Sequence, residues 1–181
     1  IRKQQCFNND HSRRKHMDYK IVQKEAFRFV GVSKRVSLQF EGVNNEIVQL
    51  ASEITEEQKR ELHQLQNMEP YEIVNVSYDS DTDFLEEKGQ LTHMIGVLTT
   101  CVDISDQFDQ LSVPPLTWAV FPNEGPFPST LQDTMASIYA KWLPTSDYEL
   151  AYSLSFSFTK MDEHQDHYAY SEVWIPVQLK K

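Results

Sequence analysis

Cysteine and glycine are both scarce here, with two and five copies in 181 residues. Gly31, Gly42, Gly89, Gly96 and Gly125 are too scattered to form a glycine-rich loop that cradles phosphate. Cys6 and Cys101 supply neither a disulfide framework nor a zinc spacing, so a reducing, cytoplasmic setting is expected. No apolar run approaches the roughly 20 residues that span a bilayer, and the N-terminus lacks the apolar core of a secretion signal. Positive charge is also short, with a formal net charge of −10. Residues 1–16 carry Arg2, Lys3, Arg13, Arg14 and Lys15 against Asp10, a net of +4, which leaves −14 on the remainder. So acidic a body repels phosphate backbones and attracts cationic small molecules.

Chemistry-bearing clusters are few. Asp79-Ser80-Asp81-Thr82-Asp83 alternates acids as a calcium loop does, but that loop's glycine and closing Glu are misplaced. It reads as a solvated turn, with Lys88-Gly89 as another break. Asp162 to His167 holds enough donors for a metal, yet it falls where a hairpin turn belongs, and no metal is expected. His63 sits on a helix flank. His93 opens a strand without an evident Ser or Cys nucleophile beside it, and no cofactor or catalytic residue is assigned.

What the chain does have is alternating and helical periodicity. Tyr19–Val22 and Phe27–Val32 are rich in β-branched and aromatic residues, as strands are. Asn44-Asn45 can cap a helix with Ile47, Leu50, Ala51 and Ile54 on one face. Thr55-Glu56-Glu57-Gln58 has the form of a capping box, so a second helix starts there and continues through Leu62 and Leu65, before Pro70. Strands follow at Tyr71–Tyr78 and around His93–Leu98. Val113-Pro114-Pro115 ends a loop, and Leu116–Phe121 is a strand. Leu131, Met135, Ile138, Tyr139 and Trp142 then form the buried stripe of a helix stopped by Pro144. Met135 and Tyr139 read as helix core. From Glu149 to Phe158, Tyr152, Leu154, Phe156 and Phe158 alternate with serines.

The last strand is the most informative. Ala169, Ser171, Val173 and Ile175 face one way and suit packing under a helix. Tyr168, Tyr170, Glu172, Trp174 and Pro176 face the other. One carboxylate in a row of aromatic rings is a receptor for an organic cation, through charge and cation–π attraction. Both halves read strand, helix, strand, strand. The expected architecture is α+β: duplicated strand-helix-strand-strand halves, antiparallel sheet with helices on one face, and a cleft between the halves.

Two stretches carry a family resemblance. Lys141-Trp142-Leu143-Pro144-Thr145-Ser146-Asp147-Tyr148-Glu149-Leu150, followed by Ser171-Glu172-Val173-Trp174-Ile175-Pro176-Val177, resembles the GyrI-like effector-binding domain. Its members include ligand-sensing halves of AraC-type transcription regulators, multidrug-sensing regulators and gyrase-inhibitory proteins. The resemblance covers about residues 18–179 and implies the same duplicated fold, with an aromatic pocket whose acid maps onto Glu172. Two departures bear on ligand choice. Phe156-Ser157-Phe158 stands where a second acid often occurs, and Ala51 follows Leu50 where a Trp is common.

The leading expectation is therefore a cytoplasmic effector-binding domain that binds a hydrophobic small molecule, a cation first and a neutral aromatic compound otherwise. Glu172 supplies charge, and Tyr170, Trp174, Tyr168, Trp118, Tyr152 and Phe156 supply the walls. Residues 18–181 are the domain. Residues 1–17 are a linker or tail from a DNA-binding half, and DNA is reached only through a helix-turn-helix that this chain lacks. Free aromatic surface also leaves room for a homodimer. Two alternatives stand beside this: a small-molecule hydrolase with Glu172 as general base, and a gyrase-inhibitor-like protein-interaction module.

Overall fold

The computed structural model describes residues 17–39, 43–81 and 89–181. Its frame is one antiparallel sheet. The first half supplies β1 (Lys20–Lys24), β2 (Phe27–Ser37), helices α1 (Asn45–Glu53) and α2 (Glu56–Leu65), β3 (Val74–Tyr78) and β4 (Gln90–Thr99). The second half supplies β5 (Asp109–Val113), β6 (Leu116–Pro126), α3 (Ser129–Ser137), a π-helical turn (Ile138–Trp142), α4 (Leu143–Thr145), β7 (Tyr148–Leu150), β8 (Leu154–Met161) and β9 (Tyr168–Leu179).

The sheet runs β1-β6-β9-β8-β3-β4-β2-β5, with β7 also on β9. Each half thus contributes three strands in the same internal order, and the halves join where β3 pairs with β8. The outer strands are exchanged. β1 precedes β2 in sequence but pairs with β6, and β5 precedes β6 but pairs with β2. The register reveals the duplication. Val76 faces Phe156 across the seam, Val76 also pairs with Met94, and Phe156 pairs with Trp174. Met94 and Trp174 therefore hold equivalent places in the two halves.

Alternation sorts the side chains onto two faces. One face of β9 and β6 presents Val173, Ile175, Ala119 and Phe121 to Ile138 and Trp142 of the helical segment. Leu50 and Ile54 of α1 pack on Ile95, and Leu62 of α2 packs on Val30 and Val97, so all the helices lie on this face. The opposite face gathers Phe27, Phe29, Met94, Trp118, Phe156 and Trp174 into the largest core cluster. The Phe27 and Trp118 rings are 6.2 Å apart although four strands separate β2 from β6. In a flat sheet those strands would lie about 24 Å apart. The sheet is therefore curled, and its helix-free face closes on its own aromatic side chains. Gly31 and Gly96 face each other across β2 and β4. A Cβ on either would stand 2.1 or 2.0 Å from a carbonyl oxygen of the facing strand, so only glycine permits this approach.

Several expectations change. The helix does not stop before Pro144. The Leu143 N–H bonds to the Ile138 carbonyl across the widened turn, and Pro144, with no N–H to place, sits inside α4. Tyr139 is 41% exposed rather than core, whereas Met135 is partly buried against the helix-side core. Val113 ends a strand, not a loop, since Asp109–Val113 forms the edge beside β2. The stretch from Glu149 to Phe158 is broken. Leu150 pairs with Val177 and Phe156 with Trp174, so three extra residues bulge out between β7 and β8. Tyr152 lies in that bulge and is exposed. Tyr71 and Glu72 precede β3 as irregular backbone instead of opening it. Phe40, Gly42 and residues 82–88, with the end of the acidic turn and Lys88, lie outside the described residues, as does the whole leader 1–16.

Candidate ligand-binding site

On the helix-free face, the half of the sheet built by β1, β6, β9 and β8 carries a cleft of about 300 Å³. Strand alternation places Lys20, Val22 and Lys24 of β1 on its rim, and Phe158 of β8 with Glu172 and Trp174 of β9 on its floor. The segment Glu69-Pro70-Tyr71-Glu72, which leads into β3, lines it as well.

Glu172 is held by its own strand. The Tyr170 hydroxyl donates to its Oε2 at 2.7 Å, and the Trp174 indole N–H donates to its Oε1 at 3.1 Å. Residues two apart on a strand share a face, which is why this trio forms without help from elsewhere. The Tyr170 phenol is pushed up to about 12, first by burial and then by the carboxylate beside it. It is a hydrogen-bond donor at any physiological pH and fixes the carboxylate's orientation.

The other expected walls are distributed differently. Phe156 stacks on Trp174 with centroids 5.1 Å apart and planes 21° from parallel. Trp118 meets Phe156 edge-on at 5.1 Å and Trp174 at 6.4 Å. Both Phe156 and Trp118 are fully buried, so they back the cleft from beneath instead of lining it. The buried Trp118 indole N–H finds no acceptor among the described residues. Tyr168, half-buried at the start of β9 opposite Pro126, is not among the cleft's lining residues, and neither is the bulged Tyr152. The structure thus puts Glu172 and Trp174 in the cleft, ties Tyr170 to Glu172 from outside its lining, backs them with Phe156 and Trp118, and leaves Tyr168 and Tyr152 apart.

Sequence reasoning missed the cleft's lysines and its 69–72 lining. The Lys24 ammonium lies 5.3 Å from the Trp174 ring centroid and donates to the Glu69 carbonyl. Burial lowers its pKa, partly opposed by the Glu69 carboxylate. Glu72 is engaged by Lys160 at 2.7 Å. The alternation Lys20-Val22-Lys24 was visible as a strand pattern. Nothing local, however, signals that β1 borders the second half, or that residues 69–72 line the same cleft.

The duplicated position in the first half has different chemistry. Phe158 pairs with Glu172, and the equivalent pair is Tyr78 with Thr92. There Arg35 reaches the Thr92 hydroxyl at 3.2 Å and pairs with Asp79 and Asp81. Asp81 also accepts the Gln90 N–H, which helps close the β3–β4 connection. In the later turn, Asp162 Oδ1 accepts the N–H groups of His164 and Gln165, which ties the hairpin together.

A curled antiparallel sheet of duplicated halves, with helices on one face and an aromatic cleft on the other, defines a small-molecule-binding module. A model of the GyrI-like small molecule binding domain matches residues 17–178, and the chain belongs to that family. Among solved structures it is similar to SAV2435 bound to tetraphenylphosphonium, at 18% identity and a TM-score of 0.62, over 90% of this chain and 94% of that one. It is also similar to the EcmrR C-terminal domain, at 13% identity and a TM-score of 0.61, over 91% and 99%. A hydrolase from Listeria innocua is similar at 10% identity and a TM-score of 0.51, over 90% and 92%. At such identities these likenesses establish the shared fold. No curated protein sequence matches the chain.

Proposed function

We propose that this chain is the ligand-sensing domain of a cytoplasmic AraC-type transcription regulator, and that it binds a hydrophobic organic cation in the Glu172 cleft. The observation that carries this reading is the Glu172 carboxylate, oriented by Tyr170 and Trp174 at an aromatic wall. A flat or propeller-shaped cation would meet the Trp174 ring and Phe158 while its charge faces Glu172. A desolvated cation on an aromatic ring gains about 2 kcal/mol, and a nearby carboxylate adds to this. The phosphonium cation held by the similar SAV2435 structure has this chemistry. DNA contact would belong to a helix-turn-helix half outside these 181 residues. The ligand would act on that half only by preferring one of two arrangements of the domain.

The test is calorimetric titration with tetraphenylphosphonium and with neutral triphenylphosphine oxide, on the wild type and on Glu172→Gln. The substitution is expected to weaken the cation at least tenfold and the neutral compound less than twofold. Equal losses for both would remove the electrostatic role. Turnover of a bound compound that disappears in Glu172→Gln would instead assign the cleft to a hydrolase with Glu172 as base.

A further inference from the structure

Trp174 has two ring faces, and its surroundings treat them differently. Phe156, from β8 on one side of β9, covers the first in the buried core. β6 and then β1 lie on the other side of β9, and from there Lys24 extends its ammonium over the ring. The indole N–H is already given to Glu172. Lys24 is thus a cation stacked on an aromatic ring in the wall of a cleft, the same arrangement that an organic cation would seek.

Its grip is weak. Among the described residues Lys24 forms no ion pair. It is held by a carbonyl oxygen of Glu69 and by the ring, and burial disfavours its charge. Lys160, by contrast, pairs directly with Glu72. The Glu69 carboxylate favours the Lys24 charge without pairing directly, and a half-buried ammonium regains hydration when it leaves, so the exchange can be reversed. The same hydrogen bond ties β1 to the 69–72 segment of the cleft lining.

We propose that Lys24 is a tethered competitor for this cleft: its ammonium occupies the Trp174 face used by a cationic ligand and latches β1 to residues 69–72, so that ligand entry displaces it. This inference rests on the cation-binding reading above. Lys24 then sets a threshold. Small hydrated cations gain too little to evict it, whereas large lipophilic cations exchange their own apolar burial and ring contact for its place. Eviction also frees residues 69–72 from the edge strand, which couples binding to a change in the fold.

Tetraphenylphosphonium titrations of the wild type, Lys24→Met and Lys20→Met on the full chain separate this from a simple charge effect. Lys20 borders the same cleft, but the Trp174 contact is made by Lys24. Methionine keeps most of the apolar stem. Lys24→Met is expected to tighten tetraphenylphosphonium about five- to tenfold, and Lys20→Met less than twofold. Equal gains would overturn the proposal in favour of bulk charge, and a weaker Lys24→Met would make Lys24 a ligand contact instead. Wild-type binding with no gain in Lys24→Met sinks the competitor alone. Failure of every variant to bind sinks the cation receptor and the competitor with it. A ligand-free readout stands apart from all of these. The Lys24 ε-methylene protons should be shifted upfield by the indole in the wild type and return towards ordinary values in Trp174→Leu. Ordinary values in the wild type would refute the stacked ammonium directly.

Discussion

At the scale of single residues, burial decides which polar groups do chemistry and which hold the fold. His93 is buried and its Nε2 lies 2.9 Å from the Asn75 amide oxygen, so the neutral ring donates one hydrogen bond there. Burial lowers its pKa from 6.5 to about 4. The unfolded chain then binds a proton below about pH 6.5 that the folded chain refuses until about pH 4. The stability this supplies is complete above pH 6.5 and is lost as pH falls through the window down to 4. Urea unfolding at pH 7 and pH 4.5 should show a drop in wild type that is about 2–3 kcal/mol smaller in His93→Gln. An identical drop in both would mean that other groups carry the pH dependence. Sequence alone put His93 in a strand. It could not tell the buried face from the open one, because helix packing makes that distinction.

At the scale of elements, local rules were mostly sufficient. The Thr55 capping box is present in full: the Thr55 hydroxyl accepts from Gln58 N–H and the Gln58 side chain accepts from Thr55 N–H. Removing it in Thr55→Ala should cost about 1 kcal/mol, read as a shift in the denaturant midpoint with unchanged slope. A cost near zero would show that the packing of Leu62 alone holds α2. The two faces of β9 were also legible, since alternation of Ala169, Ser171, Val173 and Ile175 against Tyr170, Glu172 and Trp174 needs no tertiary information. Misreadings occur where a partner strand imposes the geometry. β5 is short, charged and followed by two prolines, and becomes a strand because β2 offers it an edge. The bulge at residues 151–153 exists because β7 and β8 must both register on β9, and it carries Tyr152 away from the cleft.

At the scale of the whole molecule, the exchanged edge strands make the halves interdependent. β1 of the first half completes the second, β5 completes the first, and Phe29, Phe156 and Trp118 meet in a core that belongs to neither alone. Calorimetry should therefore show one transition with calorimetric and van't Hoff enthalpies equal, and two resolved transitions would contradict the shared core. The amino-acid sequence by itself determined the duplicated strand-helix-strand-strand order, the helix starts and the Tyr170-Glu172-Trp174 row. Those features depend on periodicity, capping and alternation, which act over a few residues. Tertiary structure decided which half carries the Glu172 cleft, that Phe156 and Trp118 lie behind it, and that Lys24 and residues 69–72 line it. Those outcomes depend on the curl of the sheet and on strand exchange, which bring together groups up to about 150 positions apart through burial and pairing that no local pattern encodes.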